Sequence, residues 1–287
     1  MGNSIANVYI QTYERTVRHL AQQSITRLRP WVQERSVQSE GHNWERIAKA
    51  LATKKETRKQ ETPDNDTAWS RRKSIPVTYD VGDVTEPEDI VQMLVDPNSN
   101  YAKAHGMAMR RANDIEIIEA ATGDSRDGDG NTVIYDTDQT VGDGSTAITY
   151  DIVTAVSEKF MENDIDPDEE KVFVISPAQC RKLLQLTEAT SGDYNAMRPL
   201  TSKGYVESWM GYTWVVSTLL QAPSVGEVDC FAMTRRALGL QMNKDIWVRV
   251  SEDPSISYAW RIYAASSFGC IRVEDEQLVR VHLNETI

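Results

Sequence analysis

The 287-residue chain is poor in the residues that build metal centres and disulfide frameworks: it has three cysteines and four histidines. Cys180, Cys230 and Cys270 are odd in number and far apart in sequence. A disulfide framework or a zinc site needs closer pairs and more partners, so the three read as buried free thiols of a reducing compartment. None of His19, His42, His105 and His282 falls in an HExxH or HxxxH pattern, or beside a cysteine or carboxylate at ligand spacing, so no metal is expected. No apolar run approaches the roughly 18 residues of a spanning helix. The opening MGNSIANVYI has neither a basic stretch nor an apolar one, and no signal peptide is expected. Ala6 stands where a myristoylation signal carries Ser or Thr. Also missing are a GxSxG elbow, a CxxC pair, a phosphate-binding GxxxxGK[ST] loop and a GxGxxG turn after a strand. No catalytic residue and no cofactor is expected, and the chain is not read as an enzyme.

What is present is core material and an uneven charge. Hydrophobic residues make up 40% and charged residues 26% of the chain, enough to bury a core without staples. The formal net charge is −12. Residues 1–73 hold 14 Lys and Arg against 8 Asp and Glu, a balance of +6. Residues 74–287 hold 17 against 35, a balance of −18. A basic front thus precedes an acidic body. Complementary fields of this kind guide encounter and register between copies.

Along the chain, Ile5, Tyr9, Tyr13, Val17, Leu20, Ser24 and Leu28 recur at helical spacing and predict a helix over 5–29, ended by Pro30. Residues 34–84 are polar and charged. They carry two candidate strands, His42–Leu51 and Arg71–Tyr79, around a turn-rich centre at 62–67. A coreless segment of this size is either disordered or an extended arm used in contacts, and Trp44 and Trp69 favour the arm, because large aromatics concentrate at interfaces. Pro87 starts a short helix over 86–94. Asp96-Pro97 opens the strongest helix, with Tyr101, Ala104, Ala108, Ala112, Ile115, Ile118 and Ala121 on one face and Gly123 as its stop. At about 1.5 Å per residue this spine runs about 35–40 Å. From 148 onward helices and strands alternate. Ile148, Ile152, Val153, Val156 and Phe160 make an amphipathic helix, and KVFVI (171–175), YTWVVS (212–217) and DCFAM (229–233) read as buried strands. Thr234–Leu240 reads as a turn or short helix. Ile246–Ser251, Ser257–Ser267 and Gln277–Leu283 close the chain as strands. The pattern is α+β: a compact α/β module, then an antiparallel closing segment.

Two stretches invite a chemical reading. DSRDGDGN (124–131) resembles a calcium loop, but Ser125 replaces the first ligand and Asp136 the bidentate glutamate, so a Gly/Asp turn explains it better. The acidic runs 168–170 and 274–276 read as solvated turns. The basic clusters Arg27/Arg29, Lys54/Lys55/Arg58/Lys59 and Arg71/Arg72/Lys73 interleave with Trp31, Trp44 and Trp69. That is a composition for phosphate contact and base stacking, or for contact with acidic copies of the same chain. These twelve residues are the candidate inter-subunit contacts.

Six segments carry a family resemblance: QTYERTVRHLAQQSITRLRPWV (11–32), TRKQETPDNDTAWSRRKSIPVTYDVGDVTEPEDI (57–90), VQMLVDPNSNYAKAHGMAMRRANDIEIIEAATG (91–123), ISPAQCRKLL (175–184), MGYTWVVS (210–217) and RVEDEQLVRVHL (272–283). In order and spacing the chain resembles the major capsid proteins of tailed bacteriophages, the Hong Kong 97-type shell fold. The resemblance implies an N-terminal arm at 1–38, an extended two-stranded loop at 39–83, and a peripheral domain with the spine helix at 84–147. An axial domain at 148–230 and a return to the peripheral domain at 231–287 would follow. It implies self-assembly as hexamers and pentamers into an icosahedral shell enclosing double-stranded DNA without sequence-specific binding. The implied location is the virion, after assembly in the host bacterial cytoplasm. Partners would be other copies, a portal protein and, where used, separate scaffolding or decoration proteins, with no membrane. The chain opens on the arm with no coiled-coil prefix, so scaffolding would come from a separate protein. Lys54, Lys55 and Lys59 lie on the loop, but no asparagine partner or catalytic carboxylate matches, so covalent cross-linking is not expected. The alternatives are an encapsulin-like nanocompartment shell and a DNA-associated protein using the basic front.

Overall fold

The computed structural model describes residues 22–58, 61, 66–86, 88, 97–186 and 205–286. In chain order, a 3-10 turn at Arg29–Trp31 precedes strands β1 (Gln33–Ser36), β2 (His42–Ile47), β3 (Trp69–Ser74) and β4 (Val77–Thr85). Helix α1 (Pro97–Thr122) is followed by short strands β5 (Ser125–Arg126), β6 (Thr132–Val133) and β7 (Thr140–Val141). Then come α2 (Tyr150–Glu162), β8 (Lys171–Ile175), α3 (Pro177–Leu183), β9 (Ser208–Trp209), β10 (Tyr212–Val216) and β11 (Glu227–Thr234). The long strands β12 (Leu238–Asp253) and β13 (Ala259–Arg272), and β14 (Leu278–Asn284), complete the chain. The whole divides into two compact units.

The larger unit comprises Thr26–Thr78, Arg111–Asp245 and Ser267–Ile287. Its centre is a six-stranded sheet in the order β7-β14-β11-β8-β10-β9. All five residues of β8 are buried, as a run of Val, Ile and Phe without alternation requires when both faces are covered. Helix α2 lays Val153, Val156 and Phe160 against this sheet. Phe173 stacks on Trp214 at 4.5 Å between ring centroids and meets Tyr212 edge-on at 5.6 Å. Both helices start on side-chain caps: the Thr149 and Ser176 hydroxyls accept from the backbone N–H groups of Ile152 and Gln179. Pro177 fills the first position of α3, where its missing N–H costs nothing. Met210 and Gly211, both at positive φ, form the two-residue turn between β9 and β10, the geometry that matches strand twist.

The smaller unit comprises Met1–Ile25, Tyr79–Arg110 and Ile246–Ser266. It holds the first half of α1 and the outer stretches of β4, β12 and β13, strands of a four-stranded sheet ordered β1-β12-β13-β4. His105, on α1, is buried, with Nε2 2.8 Å from Asp83 Oδ2. Trp247 meets Tyr263 at 5.5 Å between centroids.

Several expectations change. Of the helix read over 5–29, residues 5–21 lie outside the described residues, and 22–28 are not helical. The reason is tertiary: the N–H groups of Arg27 and Leu28 donate to the Asp114 carboxylate, at 2.9 and 3.3 Å, instead of to helix carbonyls. The strand read over 71–79 breaks at Ile75-Pro76, where proline offers no N–H. Gly269 lets the Ile75 carbonyl come close there, and a Cβ would collide with it. The helix read over 86–94 falls almost wholly outside the described residues. Residues 231–234 and 278–284, assigned by the resemblance to a peripheral return, hydrogen-bond into the six-stranded sheet: Phe231 pairs with Val174 and with Arg280. Alternating apolar residues in both segments fit either sheet, so only the pairing decides.

Gly239 in β12 lies flat under the Trp44 indole, and a Cβ there would stand 2.5 Å from the ring. Gly239→Ala is therefore expected to destabilise the subunit by about 1–3 kcal/mol, the usual cost of overpacking. A urea midpoint unchanged from wild type would contradict this packing.

Candidate inter-subunit surface

Strands β2 and β3 form a two-stranded ribbon in which Trp44 faces Arg72, Glu45 faces Arg71 and Ile47 faces Trp69. Because strand side chains alternate, the ribbon sorts its residues into two faces. The inward face carries Trp44, Arg46, Arg72 and Ser74; Trp44, Arg72 and Ser74 are buried. Trp44 packs with Ile271 and Val273, and its Nε1 donates to Ser74 Oγ at 3.2 Å. Arg72 donates to Asp275 at 2.5 Å. The outward face carries Glu45, Ile47, Trp69, Arg71 and Lys73. Ile47 is 60% and Trp69 69% exposed, and Arg71 pairs with Glu45 across the strands at 2.9 Å.

The candidate contacts therefore separate. Trp44 and Arg72 are buried within their own chain and cannot serve as contacts; both were read from residue type, which does not reveal strand parity. Their burial also breaks up the aromatic–basic stripe that suggested nucleic-acid stacking. Trp69, Arg71 and Lys73 remain on the outward face. Lys54, Lys55 and Arg58 are exposed on the loop, and Lys59 lies outside the described residues. The Arg27 guanidinium donates to the Val216 carbonyl. Arg29 is gripped in two-fold fashion by Glu34, at 2.7 and 2.8 Å, and reaches Asp245 at 3.3 Å. The Glu34 hydrogen bonds raise its pKa further above the ordinary guanidinium value. Trp31 is half-buried.

The acidic run 274–276, expected to be a solvated turn, holds the ribbon's root. Asp275 accepts from Arg72 and from Arg272 Nε at 2.6 Å, and Arg46 lies 3.8 Å away. Arg272 is fully buried and also donates to the Gly123 carbonyl. Burial pulls the Arg72 guanidinium below its ordinary pKa. Sequence reasoning missed this cluster because Arg46 and Arg72 lie some 200 residues before Asp275; only Arg272, three positions away, is local.

Tyr135 lies between the guanidinium groups of Arg272 and Arg280, each 4.6 Å from its ring. Its hydroxyl donates to the Gln139 carbonyl at 3.0 Å and accepts from the Arg280 N–H at 3.1 Å. Burial pushes the phenol up to about 12. A folded pKa above the ordinary value of about 10 means that the folded state holds its proton longer. This contribution to stability is complete below pH 10 and is lost as pH rises through 12. Tyr135→Phe is expected to flatten the fall in stability between pH 10 and 12, read as unfolding midpoint against pH; an unchanged slope would contradict the assignment.

Among the described residues no group of three or more His, Cys, Asp and Glu could hold a metal ion. In the turn after α1, Asp127 accepts from the Asp129 and Asn131 N–H groups and from Asn131 Nδ2, at 2.8–3.0 Å. Its carboxylate thus serves the turn itself. Lys171 Nζ donates to the carbonyls of Asp166, Pro167 and Glu169, which fixes the loop before β8. No described helix is long and apolar enough to cross a membrane.

Comparison with known proteins gives a consistent result. A family model described as phage capsid protein matches residues 5–285. No curated protein matches the chain. Among solved structures, a chain of the capsid of cyanophage P-SCSP1u aligns with a TM-score of 0.77 at 14% identity, over 99% of this chain and 95% of that one. A chain of the bacteriophage PhiM1 mature capsid aligns at 0.72 and 16% identity, over 96% and 92%. A chain of the native GTA particle capsid aligns at 0.72 and 11% identity, over 98% and 97%. At these identities the likeness concerns the fold.

Proposed function

The chain belongs to the phage capsid protein family, and from that premise we propose how its copies build a shell. It is a major capsid protein, a structural subunit. In the proposed assembly, copies close as hexamers and pentamers into an icosahedral shell around double-stranded DNA, in the host cytoplasm. The axial part corresponds to the six-stranded sheet with α2 and α3, and the peripheral part to α1 with the long strands. A portal protein would occupy one opening, with separate scaffolding or decoration proteins where they are used.

The observation that carries this reading is the ribbon's outward face. A two-stranded ribbon is marginal alone in water, and this one leaves Ile47 and Trp69 exposed side by side. Every residue of its loop from 48 to 58 is exposed. Such a face is stabilised when other copies cover it. Many modest contacts repeated round a closed shell then add through multivalency.

The test is to express the protein, alone and with its neighbouring phage genes, and examine the product by sedimentation and negative-stain electron microscopy. Closed particles of uniform diameter are expected. Compact monomers under every condition would overturn the reading.

A further inference from the structure

A groove of about 720 Å³ runs along the root of the extended loop. Ile47, Ala48 and Ala68 line its loop side. The opposite side is made by the segment after α2 and by the β13–β14 turn, with Asp164, Asp166, Glu274 and Glu276. In all, seven acidic and three basic side chains line it. The three cations are already engaged: Arg46 faces Asp275, Lys49 reaches Asp164 at 3.2 Å, and Arg236 lies 3.7 Å from Glu169. Among the described residues no cation pairs with Asp166 or Glu276. Burial, aided by neighbouring Glu276, raises the Glu274 pKa above the ordinary carboxylate value, so an added cation there is favoured.

The chain carries a segment of matching chemistry. Residues 50–58 read ALATKKETR. They combine a small apolar stretch, with Leu51 79% exposed, with three cations. Among the described residues no ion pair holds Lys54, Lys55 or Arg58. The chain's own loop leaves the groove at Lys49, whose ammonium sits on Asp164, and every residue from 48 to 58 is exposed. Among the described residues of the tip, none from 50 to 58 lines the groove.

We propose that this groove receives residues 50–58 of the extended loop of a second copy, with Lys54 and Lys55 facing Glu274, Glu276 and Asp166 and the Ala-Leu-Ala stretch facing Ile47 and Ala48. The inference rests on the shell reading, which supplies the second copy, and adds the receptor surface and its chemistry. Each seat is small and partly solvated, so its energy is modest. Repetition across a shell turns that modest energy into a requirement for assembly.

The test uses assembled particles. Copies carrying Lys55→Cys are co-assembled with copies carrying Glu276→Cys, and the shells are oxidised and run on a denaturing, non-reducing gel. A disulfide-linked dimer is expected from the mixture, at least tenfold above a mixture of Lys55→Cys with Val225→Cys, whose fully exposed position lies outside the groove. A dimer no stronger than in that control overturns the seat while leaving the shell reading intact. A cross-linked monomer from the double variant assigns the groove to the chain's own loop and overturns it too. Charge reversal gives a second measure: Lys54→Glu with Lys55→Glu should cut shell yield at least tenfold, and adding Glu274→Lys with Glu276→Lys should restore it. Absence of rescue overturns the pairing. If the glutamate reversals alone abolish shells and the lysine reversals do nothing, the groove serves a separate cationic protein. If the wild-type protein forms no shells, the seat falls with the shell reading.

Discussion

Asp275→Ala is expected to destabilise the subunit more than any other single change at the ribbon's root. Asp275 is the carboxylate shared by Arg72 and Arg272, both buried in the folded chain. Arg72 Nε and Arg272 Nη2 already lack hydrogen-bond partners among the described residues, so the cluster has no spare acceptor. Removing one partner of a buried pair leaves the other charge uncompensated and costs about 3–5 kcal/mol. That exceeds the typical effect of a point substitution, about 1 kcal/mol. Asp275→Asn keeps the shape and some hydrogen bonding, and should fall between wild type and alanine. The measurement is the urea midpoint of the unassembled subunit. Equal midpoints for Asp275→Ala and for an exposed change such as Asp143→Ala would show that the cluster contributes nothing. Since β3 is tied to the body through Arg72, shell yield should fall with stability.

Replacing residues 50–58 with a Gly-Ser linker of equal length is expected to do the opposite. The segment is exposed throughout, and surface changes away from packed features stay within about 0.5 kcal/mol. The subunit should therefore unfold at its ordinary midpoint. Yet closed shells should disappear, because the segment supplies the cations and the apolar stretch proposed to lie on the next copy. Sedimentation would show the soluble subunit alone. Shells at wild-type yield would remove the loop tip from the account; a lowered midpoint would show that the tip serves its own chain.

How much was legible in the sequence depends on the distance over which each signal acts. The spine helix was read as Pro97–Thr122 with Gly123 as its stop and is observed as Pro97–Thr122, because an N-cap, a proline, a periodic face and a terminal glycine all lie in or directly beside it. The strands KVFVI and YTWVV were legible for the same local reason. The α+β class followed from these elements. Residues 22–28 were misread because their N–H groups find a partner, Asp114, some 87 positions away. Within the candidate surface, composition predicts a contact role for the loop, but residue type could not say that Trp44 and Arg72 point inward while Trp69 and Arg71 point outward. That sorting comes from the register of β2 against β3. The run 274–276 looked like solvent-facing charge because its arginine partners come from three separate segments.

The opening asymmetry of charge takes a more specific form in the fold. Part of the basic front is consumed within the chain: Arg29 by Glu34 and Asp245, Arg71 by Glu45 and Arg72 by Asp275. The cations left without an ion pair among the described residues include Lys54, Lys55 and Arg58, at the far end of the loop. Screening at physiological salt limits such charges to short range, about 8 Å, so they act on a surface the loop touches rather than as a long-range field.

Whether copies of this chain close into a shell through the extended loop is decided by electron cryomicroscopy of the assembled particle. The account predicts a closed icosahedral shell in which the six-stranded sheet surrounds each capsomer centre and the loop tip of each copy, with Lys54 and Lys55, lies on the acidic groove of a neighbour. A particle in which every loop tip points into solvent, or in which no closed shell forms, would contradict it.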